Sequence, residues 1–310
     1  MLQLLLVLSL LTAFTASAQS RGAVSTRQSR RPNIVFWKIS PKSVDLLLGH
    51  VPQTDAIRLA QLKQTFTDLQ CGGKRLQEKT APEGRNLLCT LPAAGPKTAS
   101  GKDDPSIILV LAHYEHDGQG RSAVEDWSGA LMLPFLYHAL SAAPRRHTFI
   151  FAEVDGEQGA AALFNSFTVA QRREILGVVA LDALGLGPTR FYINPNDSSA
   201  NLAWMQLERS LLQAASDQRL PAPGETLPGS WSRIDVTRPF RHHDIPSILV
   251  HSVEWSAREI PGSARDTEAE IDRDAYMQTI TLLADYAAEL DSLRPSPQQQ
   301  ASPGNPLVIQ

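Results

Sequence analysis

What the chain lacks narrows its possibilities first. It has two cysteines in 310 residues, so at most one intrachain disulfide can form. That excludes a small scaffold held together by disulfides. An excess of one charge is also missing: 29 Lys and Arg against 32 Asp and Glu give a formal net charge of −3. Phosphate binding needs clustered, uncompensated cations, so no nucleic-acid partner is expected. The basic stretch at Arg21, Arg27, Arg30 and Arg31 reads as a solvated linker. No repeat of fixed period is visible, and beyond the N-terminus no apolar run is long enough to cross a membrane. A serine nucleophile is equally unsupported, because Ser128 lies between Trp127 and Gly129 rather than in a G-x-S-x-G elbow. Ser128-Gly129 reads instead as a helix start lying close to a sheet.

At the N-terminus, the apolar run Leu4 to Phe14 is too short to span a bilayer and is followed by the small residues Ala16-Ser17-Ala18. Residues 1 to 18 therefore read as a removable signal peptide. The mature chain is expected to be secreted or periplasmic, with no further membrane association. Residues 19 to 33 are rich in Ser and Arg without periodicity, and residues 294 to 310 are rich in Pro and Gln. Both stretches read as disordered, leaving residues 34 to 293 as a single domain. Cys71 and Cys89 flank a polar, Gly-containing segment with the character of a β-hairpin. Pairing is expected in an oxidising compartment, with two unpaired thiols as the alternative.

Between these ends the pattern is that of an α/β protein. The continuous apolar runs Ile107 to Ala112, Thr148 to Val154, Val178 to Leu181 and Ser247 to Val250 suit strands buried on both faces. Helical stretches separate them at Gly129 to Ser141, Glu157 to Ser166 and Ser199 to Ser216. Alternation of this kind implies a mainly parallel mixed sheet with helices on both faces. Two flanking helices are structural by their periodicity. One begins at Thr54 and carries Leu59, Leu62, Phe66 and Leu69; the other carries Tyr276, Ile280, Leu283, Ala287 and Leu290 and can be capped by Asp272 or Asp274.

Several strands end in groups able to bind a metal. The first runs into His113-Tyr114-Glu115-His116, the second into Asp155-Gly156-Glu157 and the third into Asp182, with Glu125-Asp126-Trp127 between the first strand and its helix. Ligand sites of parallel sheets gather at the carboxyl ends of the strands. Imidazole and carboxylate converging there form the ligand set of a hydrolytic zinc site.

With Leu181-Asp182-Ala183-Leu184-Gly185, Ile245-Pro246-Ser247 and Asp266-Thr267 added in order, the chain resembles the exported zinc-dependent aminopeptidases, a fold shared with glutaminyl cyclases and the transferrin-receptor ectodomain. The likeness runs from Asn86 to the end of the last helix. It implies two zinc ions sharing a carboxylate and a substrate that is a peptide or protein N-terminus. By position, His113 and Asp182 correspond to ligands of one metal, Glu125 to the bridging acid and Glu157 to a ligand of the second. Glu115 and Asp126 correspond to the groups behind these ligands; alternatively, Asp126 takes over the bridge from Glu125 through a local shift.

Two positions depart from the family pattern. Gly156 stands where the family has its general base, and a glycine accepts no proton; Asp155 is the weak replacement. Gly262 stands where the family has its last imidazole ligand, with His251, His242 and His243 as candidate replacements, although His251 reads rather as a structural residue or a group behind the ligands; His138 and His147 read as packing or surface residues. The resemblance with these losses implies at most one zinc and a pseudoenzyme or weak one-metal peptidase, with an active zinc aminopeptidase as the alternative. A cyclase-like single-zinc enzyme is the third reading. Gly156→Glu combined with Gly262→His is expected to restore activity. Trp231 and Trp255 are candidates to line a cleft for an apolar side chain.

Overall fold

A computed structural model of the chain describes residues 39–82, 84–95, 106–116, 119–194, 202–225 and 234–294. The expected signal peptide, the 19 to 33 linker, the tail beyond residue 294 and Trp231 lie outside these residues. No helix among the described residues is long and apolar enough to cross a membrane.

Eight strands form one sheet: β1 (Leu76–Ala81), β2 (Gly84–Leu91), β3 (Ile107–His113), β4 (Thr148–Val154), β5 (Ile175–Leu181), β6 (Arg190–Tyr192), β7 (Gly224–Glu225) and β8 (Ser247–His251). Their order is β1-β2-β4-β3-β5-β8-β6-β7. The central four, β4-β3-β5-β8, are parallel, whereas the β1-β2 hairpin pairs antiparallel with β4, and β6 antiparallel with β8. Every residue of β3, β5 and β8 is buried, as continuous apolar runs require of strands covered on both sides.

The helices are α1 (Pro41–Leu48), α2 (Asp55–Asp68), α3 (Ser128–Ser141), α4 (Gly156–Ser166), α5 (Val169–Glu174), α6 (Leu202–Asp217), α7 (Arg238–Arg241) and α8 (Arg273–Leu290). From β3 the chain crosses by α3 to β4 on one side, then returns by α4 and α5 to β5 on the other. Right-handed crossovers running in opposite directions place their helices on opposite faces, so both faces are covered. The same reversal makes the carboxyl ends of β3 and β5 a topological switch point, where ligand crevices form. His113 ends β3, and Asp182 follows β5 directly.

Local chemistry sets the element ends. Thr54 caps α2 by accepting the Ile57 N–H, and Asp272 caps α8 by accepting the N–H groups of Asp274 and Ala275. Leu59, Leu62 and Phe66 are buried along α2, as their spacing predicts, while Leu69 falls just beyond the helix as its C-cap. Strand β5 begins three residues before the expected Val178, because Ile175 pairs with Ile107. Strands β6 and β7, at one end of the sheet, are too short to leave a periodic signal.

Cys71 and Cys89 form a disulfide between the loop after α2 and β2, closing a sequence separation of 18 residues over the hairpin. Both are fully buried in the core. Joint replacement by alanine should lower unfolding free energy by about 2–5 kcal/mol, the usual cost of removing such a link. Denaturant titration of the two proteins checks this; an unchanged midpoint would show that the link contributes nothing.

Candidate functional site

The site is assembled by four backbone features at the carboxyl edge of the sheet. A π-helical turn, Ala123–Trp127, precedes α3 and carries Glu125 and Asp126. Asp266 fixes this turn with one carboxylate: Oδ1 accepts the Val124 N–H at 2.6 Å, and Oδ2 accepts those of Glu125 at 3.2 Å and Gly262 at 2.8 Å. The Ala183 N–H in turn donates to the Glu125 carbonyl, so the turn lies against the residue following Asp182. Helix α3 starts so close to β5 that a Cβ on Gly129 would come within 2.5 Å of the Leu181 carbonyl oxygen. Ser128 serves this junction, donating to the Val124 carbonyl and accepting the Leu184 N–H.

Within this frame three carboxylates surround one imidazole. His113 Nδ1 lies 3.1 Å from Asp126 Oδ1 and 3.3 Å from Glu115 Oε1, while Nε2 lies 3.6 Å from Asp182 Oδ1. Burial pushes the His113 pKa down, but Glu115, Asp126 and Asp182 together outweigh it and hold the group well above its ordinary value. Burial pushes Asp126 up to about 7 against the opposing pull of His113 and Arg58. Glu115 is also pushed up by burial, yet His113 and the surrounding hydrogen bonds leave it below the ordinary carboxylate range. These are the reciprocal shifts of acids and a base sharing a dry site.

The cation that balances this cluster was not singled out from the sequence. Arg58 of α2 is fully buried, with Nη1 3.5 Å from Asp126 Oδ2. It also donates to the carbonyls of Tyr114 and Glu115 at 3.1 and 2.8 Å and of Arg121 at 2.6 Å, pinning the loop after β3. The signal was present, since Arg58 is four residues before Leu62 and eight before Phe66, on the buried stripe of the helix.

Glu153 was missed for the opposite reason, being one polar residue inside an apolar run. It sits on β4 between Leu87 and Ala112, fully buried, and neither carboxylate oxygen has a hydrogen-bond partner. Burial raises it well above the ordinary glutamate range, opposed only by His113.

The remaining sequence candidates separate. Glu125 is buried beside the cluster through its backbone contacts. Asp126 faces the Nδ1 side of His113, opposite the Nε2 that meets Asp182, so it has not shifted into a bridging place. Glu157 is half-buried and paired with Arg238 Nη1 at 2.8 Å rather than with the cluster. Asp155 accepts the Arg85 N–H. Gly262 stands beside the π-helical turn through Asp266, so its position is close to the site while it supplies no side chain. His251 ends β8 next to Asp182; its Nδ1 accepts the Val253 N–H, and burial helped by Arg190 lowers it to about 3, a neutral ring.

Four histidines and a tryptophan fall elsewhere. His243 stacks on Phe164, His242 is exposed, His147 is buried against the Leu293 carbonyl, and His138 lies partly buried on α3. Trp255 is exposed and lies under Arg258.

Whether a zinc ion fits is decided by the two ring nitrogens. Donors sharing one ion with bonds of roughly 2.0–2.1 Å stand a little over 3 Å apart, so Nε2 of His113 and Oδ1 of Asp182 suit a common ion. Glu115 and Asp126 hold Nδ1, the carboxylate–histidine arrangement that leaves Nε2 for a metal. Because the carboxylates flank both sides of the ring, they do not share a point. Among the described residues no group of three or more His, Cys, Asp or Glu side chains forms a preset metal cage.

A mixed, mostly parallel sheet with acid and imidazole at its switch point defines the class, that of zinc aminopeptidase-like α/β proteins. The chain belongs to peptidase family M28, whose model matches residues 96–287. Among solved structures it is similar to BSAP, a zinc aminopeptidase from Bacillus subtilis, with TM-score 0.56, 18% identity, and 68% of this chain and 52% of that chain covered. This chain thus spans about half the length of that enzyme. It is also similar to glutaminyl cyclases from Porphyromonas gingivalis (TM-score 0.62, 16% identity, 83% and 99% covered) and Macrostomum lignano (0.60, 19%, 83% and 91%). At these identities the likeness shows the fold. Comparison with curated sequences gives no match.

Two predictions test the electrostatics. Arg58→Met leaves Asp126 buried without its cation and should destabilise the fold by about 3–5 kcal/mol; a loss below about 1 kcal/mol in urea titration would contradict the assignment. For Glu153, a raised folded pKa means that its stability contribution is present below the ordinary glutamate pKa and is lost as pH rises toward the folded value. Glu153→Gln lacks that loss. Its stability relative to the parent should therefore increase as pH rises above the ordinary glutamate range; a difference that stays constant with pH would rule out a buried neutral acid.

Proposed function

We propose that this M28 protein is exported and holds at most one zinc ion, and that it is a pseudoenzyme or a weak one-metal peptidase acting on peptide N-termini. One observation carries the reading: His113 is oriented by carboxylates at Nδ1 and faces Asp182 through Nε2, whereas Glu157 is engaged by Arg238. His113 and Asp182 would hold the ion, with Glu125 as the third ligand. Such an ion supplies Lewis acidity, polarising a carbonyl and acidifying water.

The chain's own groups do the positioning but offer little for moving a proton. Arg58 fixes the β3 loop, Asp266 fixes the turn bearing Glu125, and Asp126 and Glu115 hold the imidazole. At position 156 there is no side chain, Asp155 is committed to the Arg85 N–H, and Glu157 to Arg238. A missing general base costs on the order of 10²- to 10⁴-fold in rate, which supports weak turnover.

A second reading, a cyclase-like single-zinc enzyme, is supported by the fold match to the Porphyromonas glutaminyl cyclase, of which 99% is covered.

Metal analysis of the purified mature protein should return at most one zinc per chain, lost on His113→Ala, with slow release of aminoacyl reporters. Two zincs per chain with fast, chelator-sensitive hydrolysis would refute the proposal. Conversion of an N-terminal glutaminyl peptide, without aminoacyl release, would favour the second reading.

A further inference from the structure

The turn from β4 into α4 holds a contact at one of the departures from the family pattern, Gly156. Gly156 has φ +60°, a left-handed conformation that side-chain-bearing residues rarely adopt. Its N–H donates to Glu115 Oε2 at 3.0 Å. A Cβ built on Gly156 would lie 2.7 Å from Glu115 Oε1, closer than real contacts come, and 3.3 Å from its carboxyl carbon. The same Oε1 is buried and stands 3.3 Å from His113 Nδ1. One carboxylate therefore spans from the first turn of α4 to the imidazole, through the space that a side chain at 156 would occupy.

We propose that Glu115 is a positioning residue that couples α4 to His113, so that a side chain at position 156 must displace its carboxylate. The inference on position 156 stands on this geometry alone; its effect on zinc rests on the one-ion reading above. Restoring a base at 156 is then not the independent change that the sequence implied. Gly156→Glu meets both the left-handed backbone and the Glu115 carboxylate, so it disrupts the site unless residue 115 is shortened. Charge matters as well as size. An amide has a single acceptor oxygen, so Glu115→Gln can serve the Gly156 N–H or a proton on His113 Nδ1, but not both.

The test is a double-mutant cycle read by thermal unfolding of the full mature chain, with zinc affinity measured by chelator competition. Gly156→Ala alone should lower Tm by several degrees. In the Glu115→Ala background the same change should lower Tm markedly less, because the backbone strain remains while the collision is gone. Glu115→Gln should weaken zinc binding by about 10-fold, the low end for loss of a group behind a ligand.

Equal Tm losses from Gly156→Ala in both backgrounds would overturn the steric coupling. Unaltered zinc affinity in Glu115→Gln would overturn the positioning role. If the parent chain binds no zinc, the one-ion reading fails, and with it the proposed effect on zinc, while the Tm cycle still decides the coupling.

Discussion

The site rests on a charge balance maintained out of water. Four titratable side chains, His113, Glu115, Asp126 and Asp182, meet at one imidazole behind the carboxyl edge of the sheet, and Arg58 stands behind them. Several negative groups in a dry interior are tolerable only when each charge is met by an opposite one or by hydrogen bonds. The protein uses both means: a guanidinium from α2, a carboxylate-bound imidazole, and the Gly156 N–H on Glu115. Arg58 also grips the carbonyls of the β3 loop, so the electrostatic centre and the shape of the loop depend on the same residue.

This balance sits on a scaffold of hydrogen bonds that spans the sequence. Asp266, almost at the last helix, closes the turn that bears Glu125, and Tyr276 of α8 donates to the Ser128 carbonyl. A nucleophilic serine is unnecessary to explain Ser128, whose hydroxyl is consumed by the Val124 carbonyl and the Leu184 N–H. The two halves of the site differ in kind. Around His113 the side chains are buried and mutually oriented, whereas Glu157 lies at a partly exposed rim and is neutralised by Arg238.

Much of the fold was legible in the sequence. Continuous apolar runs mark the central strands because a strand covered on both faces has no polar side, and α2 and α8 declare themselves by period and cap. Short elements such as β6, β7 and α7 escape that reading, because two to four residues establish no period. Metal-binding residue types at strand ends were visible for the same topological reason that makes parallel sheets bind ligands at their carboxyl edge. Family M28 membership agrees with that reading.

Sequence alone determined which residues are present and which are missing: imidazole at 113, acids at 115, 125, 126 and 182, and glycine at 156 and 262. Tertiary structure decided what each one faces. It put Asp126 on Nδ1 rather than between ligands, drew Glu157 to Arg238, and buried Glu153 and Arg58 from elements that read as purely structural. The physical reason is range. Periodicity and capping act over a few neighbouring residues, whereas charge pairing and steric exclusion, such as Glu115 against position 156, arise only when distant segments are packed within a few ångströms.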